Sequence, residues 1–229
     1  MILKKWEELP EFMRVGEVKP YYLILEKKRF SLALKRAFDI IISIILILLF
    51  SPIMLMVSLL IKFDSPGPII YKQVRITQYG RNFKVYKFRT MVNDADKVGA
   101  HVTTQNDNRI TRVGKKIRDC RLDEFPQLFN VLKGDMSFVG TRPEAVKYFE
   151  SYTDKMKATL LLPAGITSMA SIMFKDEAVI LSNETNVDKV YIEKVLPQKM
   201  EYNLRAIEEF SLISDVKVMF NTITAVIRG

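Results

Sequence analysis

Between Ile40 and Ile61 the sequence runs for 22 residues, "IIISIILILLFSPIMLMVSLLI", without a charge. As a straight helix at ~1.5 Å per residue it would reach ~33 Å, enough for a hydrocarbon core of ~30 Å. The run begins too far into the chain, is too long and lacks the small-residue cleavage site of a secretory signal. A helix buried in a soluble core fits this length poorly.

Ser51-Pro52 interrupts the run near its middle. Pro52 has no N–H to give the Leu48 carbonyl, and its ring crowds that carbonyl. The Ser51 hydroxyl is placed to satisfy a carbonyl freed nearby. Taken apart, the halves before and after the break reach only ~18 and ~15 Å, so neither crosses a bilayer alone. Lys27, Lys28, Arg29, Lys35 and Arg36 precede the run, and Lys62, Lys72 and Arg75 follow it. A true crossing is expected to show charge asymmetry, whereas two basic flanks suit a segment that enters and turns back. A single proline usually kinks a helix only modestly, so a kinked crossing and a re-entrant helix both stay open on physics alone.

The 229 residues suffice for one domain plus an anchor, and a hydrophobic content of 48% argues against disorder. The net charge of +9 favours anionic partners such as nucleic acid, anionic lipid or phosphorylated metabolites. The one cysteine, Cys120, cannot close an internal disulfide, which places the bulk in a reducing compartment. The one histidine, His101, argues against a His-rich zinc site and a Ser-His-Asp triad.

Residues 1–34 read as a peripheral arm near the membrane, 35–62 as the membrane helix and 63–229 as a cytosolic domain with interfacial helices. "DSPGP" (Asp64–Pro68) is a rigid exit from the run. "IIYKQVRI" and "FKVYKFRTM" have strand composition and flank a turn, "TQYGRN", which predicts a hairpin with strands near 69–75 and 83–88. "MVNDADKVG" predicts a short helix and "TTQNDNRITRVG" a loop. "LDEFPQLFNVLKG" predicts one helix, with Leu122, Phe125, Leu128, Phe129 and Leu132 at helical spacing and Gly134 as its stop. A proline-led helix is expected from "RPEAVKYF". A last one carries an apolar stripe of Leu212, Val216, Met219, Phe220, Ile223 and Val226, for the domain or for lipid. The fold class is therefore α+β: a membrane helix with a Ser-Pro break, a small hairpin or sheet, and several helices, some interfacial.

The chemistry concentrates between Arg118 and Glu144, "RDCRLDEFPQLFNVLKGDMSFVGTRPE". Asp123 and Glu124 open the expected helix, where acidic residues are common for reasons of dipole alone. What sets them apart is the cationic company of Lys87, Arg89, Arg118, Arg121, Lys133 and Arg142. A carboxylate pair among such cations can hold a divalent metal and face a pyrophosphate.

The stretches "LKRAFDIIISIILILLFSP", "IKFDSPGPIIYKQVRI", "YKFRTM", "LDEFPQLFNVLKGDMSFVGTRPE" and "SLISDVKVMFNTI" resemble the bacterial sugar transferase family, over about residues 32–229. These are the monotopic phosphoglycosyl transferases that begin glycoconjugate assembly on polyprenyl phosphate. The resemblance implies that Ser51 and Pro52 make the hinge of a re-entrant helix, with the globular part on the cytosolic face of the bacterial inner membrane. It implies that Asp123 attacks the β-phosphate of a UDP-sugar, releases UMP and passes the phosphosugar to undecaprenyl phosphate. Glu124 would bind Mg²⁺, and Lys87, Arg89, Arg118 and Arg142 would line the anionic substrates. The partners implied are a UDP-sugar, polyprenyl phosphate and membrane lipid, with no nucleic acid. With no multispanning region ahead of the anchor, the sequence is similar to the family's minimal catalytic form.

Three departures stand out. Thr77 replaces the first glycine usual in the hairpin turn, Arg121 stands where serine is common before Leu-Asp-Glu, and Thr141-Arg142-Pro143 replaces Pro-Arg-Pro. The basic charge also permits a rival of another class, a membrane-tethered nucleic-acid-binding or scaffold protein. The carboxylates amid the cations oppose that rival, because they repel a phosphate backbone unless a metal is present.

Overall fold

A computed structural model describes residues 3–93, 95, 108–175, 177 and 186–227. After two 3₁₀ turns, α1 (Lys19–Lys27) leads into α2 (Arg29–Asp64), a helix of 36 residues with Pro52 inside it. The Ser51 hydroxyl donates to the Leu48 carbonyl at 2.8 Å, supplying the partner that Pro52 withholds. Among the described residues α2 is the one helix long and apolar enough to cross a membrane.

The two long faces of α2 differ. Ile42, Leu46, Ile47, Phe50, Ile53, Met54, Val57 and Ile61 pack on the rest of the chain, while Ile41, Ile45, Leu48, Leu49, Leu55, Met56 and Phe63 stay exposed. Both ends of the helix are tied to the same body. Near its start Arg36 donates to the carbonyls of Val131 at 2.7 Å and Leu132 at 2.8 Å. At its end Asp64 accepts from the Val113 N–H at 3.2 Å.

β1 (Ile70–Ile76) and β2 (Asn82–Phe88) form the expected hairpin, in antiparallel register from Ile70 opposite Phe88 to Ile76 opposite Asn82. Tyr79 and Gly80 turn the chain with positive φ. At the departure noted above, Thr77 Oγ1 donates to the Asp135 carbonyl at 2.7 Å and accepts from the Ala164 N–H at 3.1 Å, so the threonine stitches three segments together. The expected helix at "MVNDADKVG" falls largely outside the described residues. Of the expected loop at 103–114, residues 103–107 lie outside the described residues, and α3 (Arg112–Asp119) starts inside the remainder, capped by the Thr111 hydroxyl.

The helix expected from Leu122 divides in two. Leu122–Glu124 form a separate 3₁₀ turn, and α4 is only Gln127–Lys133. Pro126 cannot donate to Leu122, and Arg121 enters the turn in the left-handed region at φ 56°, so no continuous ladder forms. Gly134 ends α4 as expected, with φ 88°. β3 (Met136–Val139) and β4 (Ala164–Thr167) make a second, parallel pair that the sequence did not announce. The proline-led helix shrinks to one turn, α5 (Val146–Phe149). α6 (Met169–Met173), α7 (Val187–Val190), a π-helical turn at Tyr191–Val195, α8 (Leu196–Glu208) and α9 (Leu212–Ile227) complete the chain.

The N-terminal stretch is not a peripheral arm. Leu3, Leu9, Met13, Val18, Tyr22 and Leu25 are buried in the largest core cluster, against Tyr148, Tyr152, Leu196 and Met200. Of the apolar stripe of the final helix, Met219 packs inward with its neighbour Val218, whereas Phe220 and Ile223 face out. α9 is fastened to α2 by a buried ion pair, Lys35 to Asp215 at 2.5 Å.

Candidate active site

Three elements converge on the carboxylates. β2 brings Lys87, the 3₁₀ turn brings Asp123 and Glu124, and the segment after β3 brings Arg142. Lys87 donates to Glu124 Oε1 at 2.7 Å, and Arg142 donates to the same oxygen at 3.3 Å. Asn130 locks this arrangement from α4. It is fully buried, donates to the Lys84 carbonyl at 2.8 Å and accepts from the Tyr86 N–H at 2.9 Å. The outer edge of β2 is thereby satisfied, and the strand is fixed relative to the turn that follows Arg121.

The two adjacent carboxyls experience opposite fields. Burial tends to raise Glu124, but Arg142 and Lys87 outweigh it and hold its carboxyl well below the usual carboxylate range. Asp123 is pushed upward, first by burial and then by the charge of Glu124, against the pull of Lys87, Arg118 and Arg121. Glu124 is thus a fixed anion, while Asp123 is a partly desolvated carboxylate surrounded by cations that do not neutralise it fully. That is the condition under which a carboxylate is reactive toward an electrophile whose own charge those cations can absorb.

Of the predicted substrate cations, Lys87, Arg118 and Arg142 gather here. Arg118 is held through Nε, which donates to Thr90 Oγ1 at 2.7 Å. α3 approaches so closely at that point that a Cβ on Gly114 would lie 2.1 Å from the Thr90 carbonyl oxygen. Arg89 is placed elsewhere. It is buried, and its guanidinium donates to the carbonyls of Ser65 at 2.6 Å and Pro66 at 2.9 Å. The positive side chain clamps the carbonyl-rich end of α2, as a helix C-terminus favours. Lys133, also in the cationic inventory, instead donates to the Tyr86 hydroxyl at 2.8 Å.

Two features escaped the sequence reading. One is Asn130, which was hidden inside an apolar helix pattern. The other is the row Tyr71, Gln73 and Arg75, which shares the hairpin face of Lys87 because Tyr71 lies directly opposite it. The period of two was legible, but the polar row on that face was not set against Lys87.

Among the described residues no group of three or more His, Cys, Asp or Glu side chains is arranged to hold a metal. Two adjacent carboxylates nevertheless match the way Mg²⁺ is held when phosphate oxygens and water complete its shell. The contacts of Lys87 and Arg142 both fall on one oxygen, Glu124 Oε1. The donor set therefore fits a Mg²⁺ that arrives with a diphosphate, and not a preformed protein cage.

The Ser51-Pro52 break in α2 lies beside this site. Phe50, which precedes Ser51-Pro52, stacks against Phe125, which follows Glu124, with ring centroids 4.9 Å apart.

The bacterial sugar transferase family profile matches residues 30–229. The UDP-N-acetylgalactosamine-undecaprenyl-phosphate N-acetylgalactosaminephosphotransferase of Aeromonas hydrophila is 37% identical over 199 residues, which cover 86% of this chain and 44% of the relative. The UDP-glucose:undecaprenyl-phosphate glucose-1-phosphate transferase of Escherichia coli is 39% identical over 194 residues, 83% of this chain and 39% of the relative. The chain thus spans less than half the length of these two. An exopolysaccharide production protein of Rhizobium leguminosarum is 35% identical and is covered over 96% of its length. With its motifs carried on the elements just described, the chain belongs to the bacterial sugar transferase family.

Proposed function

We propose that the protein is a membrane-bound phosphoglycosyl transferase that moves a phosphosugar from a UDP-sugar to polyprenyl phosphate, releasing UMP. The observation that carries this reading is the pairing of a partly buried Asp123, facing Lys87, Arg118 and Arg121, with a clamped Glu124, beside the Ser51-Pro52 break of the apolar helix. The relatives' names supply the substrate class, a UDP-sugar and undecaprenyl phosphate.

In the first half-reaction an Asp123 carboxylate oxygen attacks the β-phosphorus. An O–P bond forms, the bridging P–O bond breaks, and its electrons leave with UMP. In the second, a phosphate oxygen of the lipid attacks the same phosphorus. The Asp123 O–P bond then breaks, giving the polyprenyl-diphosphate-sugar and regenerating the carboxylate. Lys87, Arg118 and Arg142 oppose the charge on the transferred phosphoryl group. Asp123 and Glu124 would hold Mg²⁺, which when bound supplies further charge neutralisation at the diphosphate. Glu124 also fixes Lys87 and Arg142, so the cations are oriented before substrate arrives.

The α2 contacts support a re-entrant helix on the cytosolic face of the bacterial inner membrane. Arg36 and Asp64, on either side of the apolar run, both bond to the same domain, which favours both ends lying on one side of the bilayer. The outward apolar residues of α2, with Phe220 and Ile223 of α9, would face lipid. The product would enter capsule, O-antigen, exopolysaccharide or glycoprotein assembly.

The test is purified, detergent-solubilised protein with undecaprenyl phosphate, Mg²⁺ and a panel of UDP-sugars. UMP release dependent on one sugar supports the reading. Release of UDP would indicate transfer of the sugar alone, and no nucleotide release from any donor would overturn the activity.

A further inference from the structure

Arg75 forms no ion pair with an acid among the described residues, though the Glu144 charge reaches it. It sits on β1, partly buried, and its Nη2 donates to Gln73 Oε1 at 2.8 Å. Glu144, the acid whose charge acts on it most strongly, already accepts through Oε1 from the Tyr191 hydroxyl at 2.8 Å and from Lys199 at 3.2 Å. The backbone places Arg75 beside the site, because the next residue, Ile76, donates its N–H to the Glu144 carbonyl at 3.1 Å, two residues from Arg142. Along the ladder, Arg75, Gln73 and Tyr71 share the face that bears Lys87.

A guanidinium carries five donors in a rigid fork, matched to phosphate oxygens. Here one donor is committed to a neutral amide that orients the fork, and Arg142 nearby carries the same charge. Holding two arginines together without acids to balance both is unfavourable unless an anion completes the set. Burial pulls the Arg75 pKa down, Glu144 opposes this, and Arg142 adds to the lowering.

We propose that Arg75, oriented by Gln73, forms a phosphate-binding subsite beside Arg142 and Lys87. This subsite rests on the transferase reading only for the identity of its ligand, a phosphate group of either the nucleotide donor or the lipid acceptor. Arg75 binds and does not take part in bond making. Its companion Gln73 is a positioning residue.

The experiment measures binding of two probes, inorganic pyrophosphate and undecaprenyl phosphate in detergent micelles, to the full-length protein and to Arg75→Gln, Arg75→Lys and Gln73→Met. Melting temperatures are recorded with and without probe. The glutamine variant should lose affinity for at least one probe by ~10-fold or more, the scale of a lost charge-assisted hydrogen bond. The lysine variant should fall between it and the unmodified protein. Without probe, Arg75→Gln should melt no lower than the unmodified protein, because a charge that forms no ion pair is removed. Loss for pyrophosphate assigns the subsite to the donor, and loss for the lipid phosphate assigns it to the acceptor. Unchanged affinity for both probes overturns the subsite, as does a lowered melting temperature with affinity retained. Should Arg75→Gln fail to fold, Gln73→Met decides, and affinity unchanged there overturns the proposal. UMP release by the unmodified protein is followed in parallel. Arg75-dependent binding without UMP release from any donor would sink the transferase reading and leave the subsite standing.

Discussion

Lys87 meets Glu124 at 2.7 Å, joining the end of β2 to the turn that carries Asp123. The contact gives two neighbouring carboxyls opposite roles. One is held ionised by its cations, and the other is left desolvated next to a negative charge.

Those opposite shifts give opposite stability effects. The folded state raises Asp123, so between its ordinary value of 3.8 and the raised one the folded protein binds more protons than the unfolded chain. Stability is therefore lost as pH rises through that window. Asp123→Asn should melt higher than the unmodified protein at neutral pH, with the gain vanishing below about pH 4. Glu124 is depressed, so its contribution is present above its ordinary value of 4.5 and is lost as pH falls toward the folded value. Glu124→Gln should lose about 1–3 kcal/mol at neutral pH, and less in acid. Thermal melts of both variants from pH 3 to 8 check the signs.

Asn130→Ala removes a side chain that serves the outer edge of β2 at both Lys84 and Tyr86. Two part-buried backbone groups then lose their partners, at about 1 kcal/mol each. Turnover should fall along with stability, since Lys87 rides on the same strand. Denaturant unfolding beside UMP release measures both.

What the sequence made legible follows from which signals are local. The hairpin showed because β1 and β2 are seven residues each and flank a glycine turn. The apolar run showed because 22 uncharged residues have few other uses. β3 and β4 stayed hidden, because four-residue strands in a parallel pair, with all of β3 buried, show no alternation. The N-terminal residues looked peripheral because Leu3, Leu9, Met13 and Val18 are spread among charges and find one core only in three dimensions. At the site, motif resemblance named Asp123, Glu124, Lys87, Arg118 and Arg142, and the fold brings these five side chains together. It also named Arg89, whose side chain instead clamps the end of α2, and it passed over Arg75, whose nearness to Arg142 is a tertiary fact.

Gly114→Ala should drive α3 away from β2, because the added carbon meets backbone, 2.1 Å from the Thr90 oxygen. The cost is about 1–3 kcal/mol for overpacking, and Arg118 moves with the helix. KM for the UDP-sugar should rise in steady-state kinetics even at temperatures where the variant is folded.

Both flanks of α2 bond to one domain, so cysteines at Lys5 and Thr224, in a Cys120→Ser background, should resist an impermeant maleimide in intact cells and react after permeabilisation. Labelling of one position and not the other in intact cells would contradict the re-entrant helix. Pro52→Ala returns an N–H to the Leu48 carbonyl and should straighten the helix, shifting part of the population toward a crossing.

The nucleophile is tested most directly by giving the enzyme UDP-sugar without lipid acceptor. Asp123 as nucleophile predicts a burst of about one UMP per active site, a stall, and resumed turnover when polyprenyl phosphate is added. Asp123→Asn should give no burst. UMP released only when both substrates are present, with intersecting initial-rate plots, would contradict the covalent account and leave Asp123 a base or metal ligand.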